Sequence, residues 1–259
     1  MKVLENLYTL PLSTTNAVGT FPWDKEFNTD FVEVNHSLED SLTSFCHETA
    51  ITCSALNFRL AEYRDDLYED FQIGRPAQLH CWLDKRKAEY LAGRLAVARL
   101  LKSSVPIGTG KNREPLWPES MNGSISHDGF TSVAAVSPAD TLVGIDIEPI
   151  VDDGAMAWLT DSVLNENECR LIQAFRRNVL ATAIFSAKEC FFKAMYPLVK
   201  AYFDFNVLQC SQVTEKQLIF EIQSDFKNQF DVRLGNTIAV DWFLTPNKEV
   251  VTVIKVLSI

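Results

Sequence analysis

Nowhere does the 259-residue chain string together the ~20 apolar residues that a membrane-spanning helix requires. The start, MKVLENLYTLPLS, places Glu5 and Asn6 where a secretory signal would be apolar, so it reads as folded protein. None of the six cysteines forms a C-x-x-C pair, which argues against a zinc knuckle or a redox dithiol and for reduced thiols in a cytoplasmic protein. No glycine-rich phosphate loop follows an extended segment. No G-x-S-x-G elbow is present, and Ser126, His127 and Asp128 are sequence neighbours whose side chains diverge, which argues against a hydrolase triad. Positive charge is also short: the formal net charge is -10, which excludes a general nucleic-acid binder. No internal repeat or low-complexity stretch appears.

The remaining composition, 47% hydrophobic and 22% charged, is that of an ordinary globular protein with a sizeable core. Its charge is uneven. Lys85, Arg86, Lys87, Arg94, Arg99, Lys102, Lys111 and Arg113 face only Glu89 within residues 85–113. A cationic strip on an acidic protein points to a specific anionic ligand.

The apolar spacing predicts helices over 38–49, 79–102, 165–178 and 179–196. Val105-Pro106 is expected to end the second. Residues 1–36 read as irregular chain or short strands, and 106–123 and the Asp-rich 151–155 as loops. Strands are expected at 124–126, 131–136, 141–147, 218–222, 230–234, 238–244 and 250–257. Helices followed by strands in each half give an α+β fold.

Four constellations carry candidate chemistry. In Gly144-Ile145-Asp146-Ile147-Glu148 the two-residue strand period puts both acids on one face and both isoleucines in the core. Two carboxylates there repel unless a cation offsets them, and oxygen ligands of this kind suit Mg2+. In Phe185-Ser186-Ala187-Lys188-Glu189-Cys190-Phe191-Phe192-Lys193 a helical apolar stripe runs through Ile184, Ala187, Phe191 and Met195. Ser186, Glu189 and Lys193 fall opposite, with Glu189 and Lys193 spaced for an i,i+4 ion pair. Lys188, at the stripe's edge, either snorkels or reaches an anion in a cleft. In Gly123-Ser124-Ile125-Ser126-His127 a histidine at a strand-loop junction beside a hydroxyl either donates to a phosphate or serves as a turn residue. Arg86 and Arg94, eight residues apart and so about 80° apart around a helix, could line one broad face and grip phosphates.

Taken in order with Arg86-Lys87-Ala88-Glu89-Tyr90-Leu91-Ala92-Gly93-Arg94 and Arg113-Glu114-Pro115-Leu116-Trp117-Pro118, these stretches resemble the phosphopantetheinyl transferases. The likeness is to the surfactin-synthetase-activating type and its siderophore-synthase branch, and it runs from about 80 to 195. Phe185 and Cys190 stand where that family usually has Trp and Ala.

The resemblance implies two similar α+β subdomains related by a pseudo-twofold, here 1–137 and 138–259, with coenzyme A in the cleft between them. It implies transfer of 4'-phosphopantetheine to a serine of an acidic apo carrier protein, as in a holo-[acyl-carrier-protein] synthase, releasing adenosine 3',5'-bisphosphate. Asp146, Glu148 and Glu189 would hold Mg2+. Glu189, or Glu148 through water, would take the serine proton, and Lys193 with Lys188 would contact phosphates. Arg86, Arg94, Ser126, His127 and one of Lys111 or Arg113 would hold the nucleotide end. Arg170, Arg176 and Arg177 are candidate carrier contacts. The partners implied exclude nucleic acid and membrane, and the state implied is a monomer. Two competing readings are a Mg2+-dependent phosphate-ester hydrolase and a non-catalytic binder of coenzyme A or a carrier domain.

Overall fold

The computed structural model describes residues 28–46, 50–103, 107–173 and 176–257. The expectations for residues 1–27, for the end of the first helix at 47–49 and for the Val105-Pro106 stop lie outside these residues.

The fold is α+β and is organised by two antiparallel sheets. The first takes β1 (Val32–Val34), β2 (Thr52–Phe58), β6 (Thr131–Pro138) and β5 (Met121–His127), in the order β1-β2-β6-β5. The second takes β7 (Thr141–Pro149), β11 (Glu249–Leu257), β10 (Thr237–Leu244), β9 (Gln217–Ile222) and β8 (Leu208–Val213), in the order β7-β11-β10-β9-β8. A small hairpin pairs β3 (Gly108–Thr109) with β4 (Pro115–Leu116). The helices are α1 (His36–Cys46), α2 (Leu67–Asp70), α3 (Asp84–Leu101), α4 (Asp153–Ser162), α5 (Glu166–Gln173), α6 (Arg177–Val199) and α7 (Ser224–Phe230).

Alternation explains the central strand. β7 pairs with β11 along its whole length, from Thr141 opposite Leu257 to Pro149 opposite Glu249. Ile145 and Ile147 are fully buried in a core shared by both sheets, with Leu38, Leu42, Val133, Ala135, Val251 and Val253. The opposite face of β7 meets α6. A Cβ on Gly144 would collide with the Cys190 carbonyl, so glycine lets the helix backbone lie directly on the strand. The predicted stripe Ile184, Ala187, Phe191 and Met195 is fully buried in the second sheet's core. α3 packs on the first sheet through Leu91, Leu95 and their alanine neighbours.

The sheets meet at edge strands β5 and β7. Ser124 Oγ accepts the Ile145 N–H at 3.1 Å and lies 3.4 Å from the Ile145 carbonyl, to which it donates. The tight 138–140 connection joins β6 of one sheet to β7 of the other, held by Ser137 Oγ donating to Thr141 O at 2.7 Å.

Three expectations fail locally. The loop expected at 106–123 holds the β3–β4 hairpin and the start of β5. The strand expected at 230–234 is the end of α7 and the turn beyond it. Phe230 packs on Phe203 and Phe226, and Val232 is buried, so the alternation serves packing. The register next to β9 is already taken by β8 and β10. The loop expected at 151–155 is the start of α4, where Asp152 Oδ1 accepts the Ala155 N–H at 2.8 Å as an N-cap.

Candidate active site

Asp146 is the centre of the site. It sits on β7 with its side chain buried against α6. Oδ1 accepts from Ser126 Oγ of β5 at 2.7 Å and pairs with Lys193 Nζ of α6 at 2.5 Å. Oδ2 accepts from Ser186 Oγ at 2.7 Å, and Ser186 in turn lies 2.8 Å from Thr252 Oγ1 on β11. Lys193 also donates to Ser126 Oγ at 2.8 Å. Both sheets and the long helix therefore converge on one carboxylate.

Glu148 and Glu189 flank this group, half-buried. Among the described residues no side chain donates a hydrogen bond to either. Burial pushes the Glu148 carboxyl up to about 8; the Asp146 charge adds to this, Lys193 opposes it, and Glu189 and Asp128 contribute. Burial likewise raises Glu189, with Lys193 opposing and Asp146 adding. Burial alone would lower Lys193, but the Asp146 charge and hydrogen bond, with Glu189, hold its ammonium above the ordinary value. Three acids thus share one lysine. The expected i,i+4 pair is not formed, because Lys193 turns to Asp146. Among the described residues no three His, Cys, Asp or Glu side chains converge closely enough to hold a metal as they stand.

A second group lies beside it, at the end of β5. Arg86 Nη1 donates to His127 Nε2 at 2.8 Å. A guanidinium cannot accept, so Nε2 is the acceptor and the ring proton is on Nδ1, facing Glu89 Oε2 at 3.7 Å. Burial, then the charges of Arg86 and Lys193, lower His127 to about 4, so the ring is neutral near pH 7. Glu89 is nearly buried and also faces Arg86 at 3.6 Å and Lys85 at 3.9 Å, which orders the start of the cationic strip.

The other sequence candidates lie elsewhere. Lys188 does meet an anion, but in the interior. Its Nζ lies 2.7 Å from Glu168 Oε2 and 2.8 Å from the Val163 carbonyl, with both charged groups buried. It is turned away from Asp146, which corrects its expected phosphate role: five residues of helix put it about 140° from Lys193. Arg94 is buried as well. Its Nε donates to Ile107 O at 3.0 Å and its Nη2 to Gly108 O at 3.2 Å, with the guanidinium 4.3 Å over the Tyr90 ring. It grips the base of the β3–β4 hairpin rather than standing open beside Arg86. Lys111 and Arg113 are exposed at the tip of that hairpin. Arg170 is exposed and pairs with Glu166 of its own helix at 3.4 Å.

Residues the sequence reading missed are Ser186 as a ligand of Asp146, Thr252 behind it, and Glu89 beneath His127. Only Ser186 carried a signal, since it shares the helix face of Glu189 and Lys193.

A buried carboxylate held by hydroxyls and a lysine, beside two half-buried acids to which no described side chain donates and a neighbouring Arg–His pair, defines a class of polar, charged, oxygen-rich site. The comparisons give that class its family. Residues 75–137 match the 4'-phosphopantetheinyl transferase N-terminal domain and residues 142–253 the 4'-phosphopantetheinyl transferase superfamily. Enterobactin synthase component D of Salmonella typhimurium is 33% identical over 180 residues, covering 67% of this chain and 74% of that protein. Its counterpart from Escherichia coli O157:H7 is 40% identical over 124 residues, covering 46% and 59%. The 4'-phosphopantetheinyl transferase Npt of Nocardia iowensis is 28% identical over 198 residues, covering 68% and 77%. A solved structure of Thermotoga maritima holo-[acyl-carrier-protein] synthase aligns with TM-score 0.34 at 21% identity, covering 46% of this chain and 64% of that one. The chain belongs to the 4'-phosphopantetheinyl transferase superfamily and is a transferase.

Proposed function

We propose that this chain moves the 4'-phosphopantetheine arm of coenzyme A onto a serine of an apo carrier protein, with Mg2+, and releases adenosine 3',5'-bisphosphate. The observation that carries the reading is the convergence on Asp146 of Ser126 from one matched region and of Ser186 and Lys193 from the other. Coenzyme A would bind where the subdomains 1–137 and 138–259 meet.

The donor set fits the metal. It offers only oxygens, and it leaves Glu148 and Glu189 half-buried with no donor among the described side chains, an excess of negative charge that a hard divalent cation would balance. Asp146, Glu148 and Glu189 would hold it, and the bound ion would neutralise charge on the pyrophosphate.

The chain's own residues do the rest. Lys193 would face the phosphates from α6, Ser126 and His127 from β5 of the first sheet, and Arg86 from α3. Neutral His127 keeps a proton on Nδ1 and accepts from Arg86, so it orients that guanidinium for a phosphate oxygen. Both oxygens of Asp146 are taken by donors, so acceptance of the serine proton falls to Glu148 or Glu189. As metal ligands beside the substrate, Glu189 would take it directly or Glu148 through a bound water.

The relatives named as enterobactin synthase components make siderophore carriers the first to test. We read the protein as a monomer acting in the cytoplasm; no described helix is long and apolar enough to cross a membrane. Incubation with coenzyme A, MgCl2 and a panel of apo carrier proteins should add one phosphopantetheine to the intact mass of at least one carrier. No mass gain on any carrier, with hydrolysis of coenzyme A instead, would overturn the reading.

A further inference from the structure

The β3–β4 hairpin is fixed at both ends. At its base Arg94 donates to the Ile107 and Gly108 carbonyls at 3.0 and 3.2 Å. Tyr90 Oη lies 3.0 Å from Thr109 Oγ1. All of this belongs to α3. At its tip Asn112 Nδ2 donates to Tyr196 Oη at 2.6 Å, and Tyr196 belongs to α6, one turn beyond Lys193. The hairpin therefore runs from the helix of the first sheet to the helix that carries Lys193.

The tip itself is shaped for this reach. Gly110 N–H donates to Glu114 O at 2.8 Å, and Arg113 N–H to Gly110 O at 3.1 Å. Arg113 takes a left-handed conformation at φ 69°. The Glu114 carboxylate lies over Gly110, where a Cβ would collide with it, and its Oε2 accepts the Asn112 N–H at 2.8 Å. The glycine and the acid together present Asn112 outward, with Lys111 and Arg113 on either side of it.

We infer that Asn112 and Tyr196 are positioning residues for coenzyme A: their hydrogen bond clasps the hairpin to α6 and thereby sets Lys111 and Arg113 beside Lys193, where the nucleotide's phosphates lie. The inference rests on the proposed function for its ligand. It assigns Arg94 a part in the same strap, as the anchor of its base.

The bond joins two elements distant in sequence and lies on the exposed side of the structure, so its loss should leave the core intact. Calorimetric titration of coenzyme A into the full chain gives the test, with Tyr196→Phe, Asn112→Ala and the double variant. Each single variant should weaken binding and raise KM for coenzyme A about fivefold, the effect of one net hydrogen bond. The double variant should lose no more than either single one, because both remove the same contact. The kcat and Tm should stay at the wild-type values. If wild-type protein binds coenzyme A and the variants bind it equally well, the clasp is wrong while the function stands. If kcat and Tm fall together, the contact is merely structural and the inference also fails. If the wild-type protein does not bind coenzyme A, the functional reading falls and takes the clasp with it.

Discussion

Lys188 and Lys193 lie five residues apart on α6, and each faces a buried carboxylate. The inner pair is closed. Glu168 accepts from Lys188 at 2.7 Å, from the Asn165 N–H at 2.9 Å and from the Cys210 N–H at 2.8 Å. Asn165 Oδ1 returns a bond to the Glu168 N–H at 2.9 Å, so Glu168 also completes a capping box for α5. One acid thus ties α5, α6 and β8 together. The outer pair is open. Asp146 is as well supplied with donors, but Glu148 and Glu189 beside it are not. Charge that balances inside the protein builds structure, whereas charge left unbalanced at a seam invites a ligand. Burial reports the same contrast: it pushes Lys188 below its ordinary value despite Glu168, while the surplus of acids keeps Lys193 above it.

The contrast can be broken most strongly at the inner pair. Lys188→Met strands the Glu168 carboxylate in the core and should cost about 3–5 kcal/mol in urea unfolding. Lys188→Met with Glu168→Gln should recover most of this, because glutamine can still accept the Cys210 N–H. Transfer per folded molecule should change little in the double variant. A large loss of kcat there would mean that the inner pair takes part in the chemistry.

The outer site should behave in the opposite way. Glu189→Gln should reduce transfer by about a hundredfold or more, as expected when a charged group acting on the transition state is removed. Its Tm should hold or rise, since a half-buried carboxylate without donors is relieved. A drop in Tm matching the drop in activity would place Glu189 among the structural acids.

The smallest effect is a pH slope. His127 falls from 6.5 to about 4 in the fold, so the unfolded chain binds its proton first. Its contribution is therefore fully present above pH 6.5 and is lost as pH falls through 4. His127→Gln should flatten the denaturation midpoint against pH within that window and leave it unchanged above pH 7. An unaltered slope would show that His127 is already solvated.

The sequence made some of this visible and hid the rest for physical reasons. The acids of β7 were legible because a strand's two-residue period fixes which side chains share a face, and Ile145 and Ile147 identified the other face. The helix stripe through Ile184 and Phe191 was equally plain. What periodicity cannot reveal is a partner far away in the chain. Lys188 has Glu168 and Arg94 has two carbonyls beyond a loop, and neither was foreseeable from its own helix. The Glu189–Lys193 pair failed for the same reason, since Asp146 outcompeted a neighbour one turn away. Asp152 is different: an N-cap aspartate ahead of Met156 and Leu159 was there to be read, and the density of acids disguised it as a loop.

Ser124 has a consequence for the two halves apart. By answering both the N–H and the carbonyl of Ile145, it lets β5 and β7 shield each other where each sheet would otherwise end in bare backbone. Separately produced halves would carry sticky borders and tend to self-associate. Mixed together, they would find in each other the one neighbour shaped to cover that border, and the Ser126–Asp146 contact would be restored along with it.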